Sequence, residues 1–265
     1  MNNIPVVIMC GGSGTRFGNT LTKKELVDIG GRPLLWHVMR IFSAYGHNRF
    51  VLALGHMGDQ VRRYFLEYEV MTRDTTIHLA GAESENGRSR LTFGGGYEHD
   101  PWEVTMVDTG LETGRAARLL QLEPYLGNGR FFVAYGEAVA NINLRELEVF
   151  HTRHGKMATV TGIRFASQYG KIEADADGTI TEFQEKPELP YWVNGGFMLF
   201  EPEFMTLIRQ HYHENLMETD LMPDLMAAQN LMLYRHNGYW QSMKTLKDAL
   251  KLKDDWQQNQ PWKVW

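Results

Sequence analysis

An α/β fold, with a mostly parallel, twisted sheet flanked by helices, is predicted by three features of the sequence. Short continuous apolar runs alternate with amphipathic helical stripes. The first of those runs stops at a glycine cluster, Gly11-Gly12-Ser13-Gly14. The chain has 265 residues, the length of one large domain or of a domain with a small C-terminal lobe. Hydrophobic residues make up 43% and charged residues 22%, enough apolar mass for a sizeable core. The formal net charge is −5, and no Lys/Arg block is long enough for a nucleic-acid tract, so no nucleic-acid partner is expected. No run reaches the roughly 18 apolar residues of a membrane span, and the N-terminus lacks a secretory apolar region, so no membrane partner is expected. Cys10 is the single cysteine, which excludes an internal disulfide and fits a cytoplasmic location. No Cys/His cluster has zinc-site spacing.

The elements follow in order. Val6-Val7-Ile8-Met9-Cys10 reads as a strand buried on both faces. A polar loop runs to Gly31, and Pro33 opens a helix whose Leu34, Leu35, Val38, Met39 and Phe42 share one face. Residues 50–54 form a second buried strand ended by Gly55, and Val61, Tyr64, Phe65 and Tyr68 give a second helical stripe. Residues 75–79, 131–135, 158–163, 180–185 and 196–200 read as strands. Residues 144–154, 202–211, 220–229 and 245–257 read as helices. Residues 81–100, rich in Gly, Ser, Asn and charge, read as a long loop, either a binding lid or a tolerated insertion. Trp256, Trp262 and Trp265 fit either subunit-interface anchors or a cap on the chain's own core. His211 and His213 fall at a helix end and read as no metal pair.

The loop after the first strand carries the chemistry. Phe17 stands where a dinucleotide fingerprint needs its third glycine, and no Gly-Lys-Ser/Thr ends the loop as a Walker motif requires. Three glycines let several backbone N–H groups face one concavity, a nest for phosphate. Arg16 adds a planar fork for phosphate oxygens, and Lys23 and Lys24 add point charges. Its place at the end of the first strand is where open α/β sheets bind ligands.

Gly11-Gly12-Ser13-Gly14-Thr15-Arg16, followed by a lysine and Val27-Asp28-Ile29-Gly30-Gly31-Arg32-Pro33, resembles the N-terminal signature of the sugar-phosphate nucleotidyltransferases. Pro101-Trp102-Glu103-Val104-Thr105, Val107-Asp108-Thr109-Gly110, Phe183-Gln184-Glu185-Lys186-Pro187, Asn194-Gly195-Gly196-Phe197, Trp240-Gln241 and Pro261-Trp262-Lys263-Val264-Trp265 extend the likeness, in order, toward the family's glucose-1-phosphate cytidylyltransferase branch. The resemblance implies a GT-A-like fold and one domain over residues 1–265. Its nucleotide-binding half would be about 1–140, and its sugar-phosphate-binding half with C-terminal helices about 141–265. CTP and a sugar 1-phosphate are the implied substrates, Mg2+ the implied cofactor, and a homo-oligomer the implied assembly. Gly11, Gly12, Gly14, Thr15, Arg16, Asp108, Thr109, Gly110 and Arg115 are the implied nucleotide contacts. Glu185, Lys186, Asn194, Gly195 and Gly196 are the implied sugar-phosphate contacts. Arg16, Lys24 and Lys186 are the implied catalytic charges. Fold alone does not choose among chemistries. A dehydrogenase is disfavoured by Phe17, and a GT-A glycosyltransferase by the absence of an Asp-x-Asp motif at Glu137-Ala138-Val139.

Two departures stand out. Glu137 occupies the first metal-aspartate position of the family pattern, and Lys244 the second. Magnesium demands near-octahedral oxygen geometry, which a protonated lysine cannot supply. A unit charge ~4 Å away is worth ~4 kcal/mol at an effective dielectric near 20, so exchanging −1 for +1 weakens a cation site severely. Glu25 also places a negative charge beside the phosphate pocket. Three readings stay open: Lys244 replaces the cation, the chain binds its ligands without turnover, or another carboxylate such as Asp108 serves the metal.

Overall fold

A computed structural model describes residues 3–12, 21–79, 89–95, 100–167, 169–210 and 221–265. Gly14, Thr15, Arg16 and Phe17, residues 81–88 and 96–99 of the long segment, and His211 and His213 lie outside the described residues. In chain order the strands are β1 (Val6–Cys10), β2 (Asp28–Ile29), β3 (Arg32–Pro33), β4 (Arg49–Leu54), β5 (Asp74–His78), β6 (Arg90–Gly94), β7 (Glu103–Asp108), β8 (Phe131–Tyr135), β9 (Ala138–Ala140), β10 (Ala158–Ile163), β11 (Lys171–Ala174), β12 (Ile180–Gln184), β13 (Val193–Phe200), β14 (Leu231–His236) and β15 (Trp240–Ser242). The helices are α1 (Leu34–Ser43), α2 (Gly58–Leu66), α3 (Tyr68–Thr72), α4 (Arg115–Leu122), α5 (Leu144–His154), α6 (Glu203–Gln210), α7 (Met222–Ala227) and α8 (Leu246–Gln258).

Seven of the described strands form one sheet in the order β14-β10-β13-β8-β1-β4-β7. Neighbours run parallel except around β13, which is antiparallel to both β8 and β10. β1 lies in the sheet interior beside the central strand β8, Val6 opposite Phe50 on β4 and opposite Phe132 on β8. Its two faces feed two cores. Val6, Ile8 and Cys10 point to a layer with α1 and Trp262, while Val7 and Met9 point to a layer with α4 and α6. Burial on both faces is what a continuous apolar run encodes.

The structure corrects two expectations about local form. Residues 90–94 are a strand paired antiparallel with β5, Thr76 opposite Thr92, so the long segment is in part a hairpin. The end of that segment is pinned by Asp100, which accepts from Trp36 Nε1 at 2.9 Å and Arg40 Nη1 at 2.8 Å, and from the Tyr68 hydroxyl. The stripe at 61–68 is two helices, broken at Glu67.

The C-terminal tryptophans cap the chain's own core. Trp262 is fully buried, stacked on Tyr239 at 5.7 Å and tilted against Trp256 at 5.3 Å. Its Nε1 donates to Nδ1 of buried His37 at 3.3 Å, and His37 Nε2 bonds the Ile29 carbonyl at 2.8 Å. Accepting at Nδ1 fixes the neutral Nε2–H tautomer. Burial lowers the His37 pKa to about 4. The folded state therefore stays neutral where the unfolded chain protonates, and stability falls as the pH drops from the ordinary histidine value toward 4. That single histidine is worth about 3 kcal/mol across the window. Urea unfolding at neutral pH and in mild acid measures the loss, and His37→Gln is expected to reduce it to the share left by His151, which burial also lowers to about 4.

Candidate active site at the carboxyl ends of the central strands

β1, β4, β7 and β8 are parallel, so their carboxyl ends open on the same edge of the sheet. The chain steps outward from β1 to β4 and β7 on one side and then crosses back through α4 to β8 on the other side of β1, and such a reversal of direction leaves a crevice. A cavity of about 390 Å³ lies there. Gly11 and Gly12 from the end of β1, Lys24 and Glu25 from a 3-10 turn, residues 111–115 and Arg118 around the start of α4, and Tyr135 and Glu137 from the end of β8 line it.

Arg118 ties its floor together. The buried guanidinium donates through Nη1 to the Leu54 carbonyl at 3.1 Å and to the Thr109 hydroxyl, and through Nη2 to the Leu111 carbonyl at 3.1 Å. Burial lowers its pKa and the Asp108 charge opposes that effect. Arginine nevertheless stays protonated, so a fixed positive charge sits beneath the cavity. Gly11 must be glycine for this: a Cβ there would lie 2.3 Å from Arg118 Nη1. Arg115, one turn earlier on the same helix, lies over the Tyr135 ring at 5.6 Å.

The lysines divide two tasks. Buried Lys23 bonds the Gly12 carbonyl through Nζ at 3.0 Å and faces Glu25 Oε2 at 3.6 Å. Lys24 Nζ is ion-paired with the Glu137 carboxylate. Burial raises the Glu25 pKa, opposed by Lys23 and Lys24. Burial also raises the Cys10 thiol well above its ordinary value, with Glu25 adding to the effect, so Cys10 is no thiolate nucleophile.

The residues singled out in the sequence separate into three groups. Gly11, Gly12, Lys24, Arg115 and Glu137 meet in the cavity. Gly196 abuts it at φ +81°, where a Cβ would come within 2.4 Å of the Tyr135 ring; Asn194 Oδ1 accepts from its N–H at 2.9 Å, and the Gly195 carbonyl accepts from Trp240 Nε1 at 2.8 Å. Asp108 ends β7 and Thr109 and Gly110 follow it, but none of the three lines the cavity: Asp108 Oδ1 accepts from Gly110 N at 3.0 Å, and Thr109 Oγ1 donates to the Leu54 carbonyl at 2.6 Å. Glu185 and Lys186 stand at the end of the exposed β11–β12 hairpin, 3.7 Å apart and also outside the cavity lining, with Lys186 in the left-handed region at φ +44°. Arg118 and Tyr135 were not singled out in the sequence. The Arg115/Arg118 spacing of three, which puts both on one helix face, was the available signal.

The residues do not fit a carboxylate-held magnesium ion. Glu137 is held by Lys24, Lys244 follows the residue bonded to the Glu137 backbone, and Asp108 does not line the cavity. Among the described residues no group of three or more His, Cys, Asp or Glu could hold a metal.

Comparison with known proteins agrees with this architecture. The family described as "Nucleotidyl transferase" matches residues 5–259. The probable glucose-1-phosphate cytidylyltransferase of Bacillus subtilis (strain 168) is 36% identical over 262 residues, covering 98% of this chain and 99% of that protein. The glucose-1-phosphate cytidylyltransferase of Salmonella typhi is 34% identical over 264 residues, covering 98% of each. The crystal structure of HddC from Yersinia pseudotuberculosis superposes with a TM-score of 0.65 at 17% identity, covering 96% of this chain and 99% of that one, a likeness of fold. A putative glucose-1-phosphate thymidylyltransferase from Bacillus anthracis gives 0.63 at 19% identity, covering 95% of this chain and 94% of that one. The mostly parallel sheet is thus the GT-A-like fold that the sequence motifs imply, and on the match over nearly its whole length the chain belongs to the nucleotidyl transferase family.

Proposed function

We propose that this chain transfers a cytidylyl group from CTP to glucose 1-phosphate or a related sugar phosphate, giving a CDP-sugar and pyrophosphate. A phosphate oxygen of the sugar attacks the α-phosphorus of CTP. The bond from that phosphorus to the bridging oxygen breaks, and pyrophosphate leaves with the electron pair. Two anions must be brought together, so positioning and positive charge supply most of the catalysis and no protein nucleophile is required. The observation that carries this reading is the cavity itself: a strand-end crevice with two glycines, Lys24, Arg115 and Arg118 in its wall. In this reading Gly11, Gly12, Gly14, Thr15, Arg16, Asp108, Thr109, Gly110 and Arg115 serve the nucleotide. Glu185, Lys186, Asn194, Gly195 and Gly196 serve the sugar phosphate, beside the cavity wall at Tyr135. The relatives named for glucose 1-phosphate and cytidylyl transfer support the choice of substrates.

A second reading, a homologue that binds these ligands without turning them over, is favoured by the Lys24–Glu137 ion pair, which occupies the carboxylate. Pyrophosphate release from CTP and glucose 1-phosphate, run beside calorimetric CTP binding, separates the two. Release with CTP and not with the other nucleoside triphosphates is expected. CTP binding without release establishes the second reading, and no binding removes both. A homo-oligomer fits the same reading, since Ile172, Ile180 and Phe183 are exposed on the β11–β12 hairpin, and light scattering reports it directly. No helix among the described residues is long and apolar enough to cross a membrane.

A further inference from the structure

Two chain segments about a hundred residues apart meet at the cavity wall. β9 pairs antiparallel with β15, Ser242 opposite Ala138. The ladder continues by one bond, from Met243 N to the Glu137 carbonyl at 2.8 Å. Lys244 is the next residue and is exposed. The Glu137 carboxylate is itself held by the ammonium of Lys24. Glu137 is thus ion-paired with Lys24 and lies across the ladder from the residue before Lys244, whose backbone N–H donates to Asp248 Oδ2 at 2.9 Å, where a divalent cation would need an excess of oxygen ligands. Lysines at these two positions favour phosphate over a metal ion, with Glu25 and Asp248 as the nearby counter-charges.

We propose that Lys24 and Lys244 supply the charge neutralisation that a divalent ion would otherwise bring, so that nucleotide binding by this chain is independent of divalent cations. The inference rests on the reading of the cavity as a nucleotide site. The chemistry suits it: an ammonium is a compact charge with three donors on a flexible four-carbon stem, able to follow a phosphate chain where a rigid metal cage could not. Glu137 then serves as a counter-charge that orients Lys24 toward the cavity before the phosphates arrive.

The test is calorimetric titration of CTP into the full chain at fixed ionic strength, once in EDTA and once in millimolar magnesium. Affinities within about threefold of each other are expected, and tenfold weaker binding in EDTA, about 1.4 kcal/mol, overturns the proposal. Lys244→Met is expected to weaken CTP binding in EDTA about tenfold, and Lys244→Arg to preserve it. An unaltered affinity in Lys244→Met removes Lys244 from the proposal and so overturns it. Lys244→Asp adds a second carboxylate beside Glu137. It is expected to make CTP affinity magnesium-dependent and to bind Mn2+ by electron paramagnetic resonance in the absence of nucleotide, which the native chain does not do. Native Mn2+ binding of that kind overturns the proposal. Failure of CTP to bind in either buffer rejects the nucleotide reading itself, whereas binding that requires magnesium rejects only this inference. Lys244 is exposed, and the comparison of buffers on the native chain needs no variant at all.

Discussion

Lys24→Met is expected to lower kcat/KM for cytidylyl transfer by about 10²–10³, the cost of removing one preorganised charge from a site where anionic charge develops. The loss has two parts. The ammonium that meets the phosphates disappears, and Glu137, its ion-pair partner in the cavity wall, becomes an uncompensated negative charge facing them. The second part is removable. Lys24→Met/Glu137→Gln deletes the stranded carboxylate together with the lysine, and the double variant is expected to be more active than Lys24→Met alone. Steady-state pyrophosphate release on the native chain, both single variants and the double variant closes the cycle. A strictly additive cycle would show that the pair acts on the substrate through independent contacts, contrary to the geometry.

Trp262→Ala is expected to destabilise the fold by about 4 kcal/mol and to lower Tm by about 10 °C in a thermal melt. The indole is wholly buried between Tyr239, Trp256 and His37, so its removal leaves a cavity that rigid aromatic neighbours cannot close. It also takes away the N–H that satisfies His37 Nδ1. Trp262→Phe restores much of the volume without the donor, and the difference between the two variants isolates the packing contribution from the polar one.

The central strands were legible because burial on both faces leaves an uninterrupted apolar run, as in Val6–Cys10 and Phe131–Tyr135. β7 and β14, at the two edges of the sheet, were not read as strands, because half-exposed edges admit Glu103, Thr105 and Arg235 among their apolar residues. β9 and β15 have three residues each, too few for any periodicity, and exist by pairing with each other. The cavity was legible where one local motif builds it, at Gly11, Gly12 and Lys24. Arg118 was not, because its role is made by carbonyls at Leu54 and Leu111 that only the fold brings to it. Glu137 and Lys244 were visible as substitutions in a familiar pattern. Their nearness through the Met243–Glu137 backbone bond belongs to the ladder between distant segments.

The position of β1 has a consequence for biogenesis. Its partner β8 emerges more than a hundred residues after it, so the middle of the sheet closes only after a long search, the hallmark of high contact order and slow folding. Until then Val6-Val7-Ile8-Met9-Cys10 presents an unpaired, uncharged edge, the kind of segment that recruits other nascent chains into aggregates. Overproduction at reduced temperature or with a holdase chaperone should therefore raise the soluble yield more than any change to the folded surface.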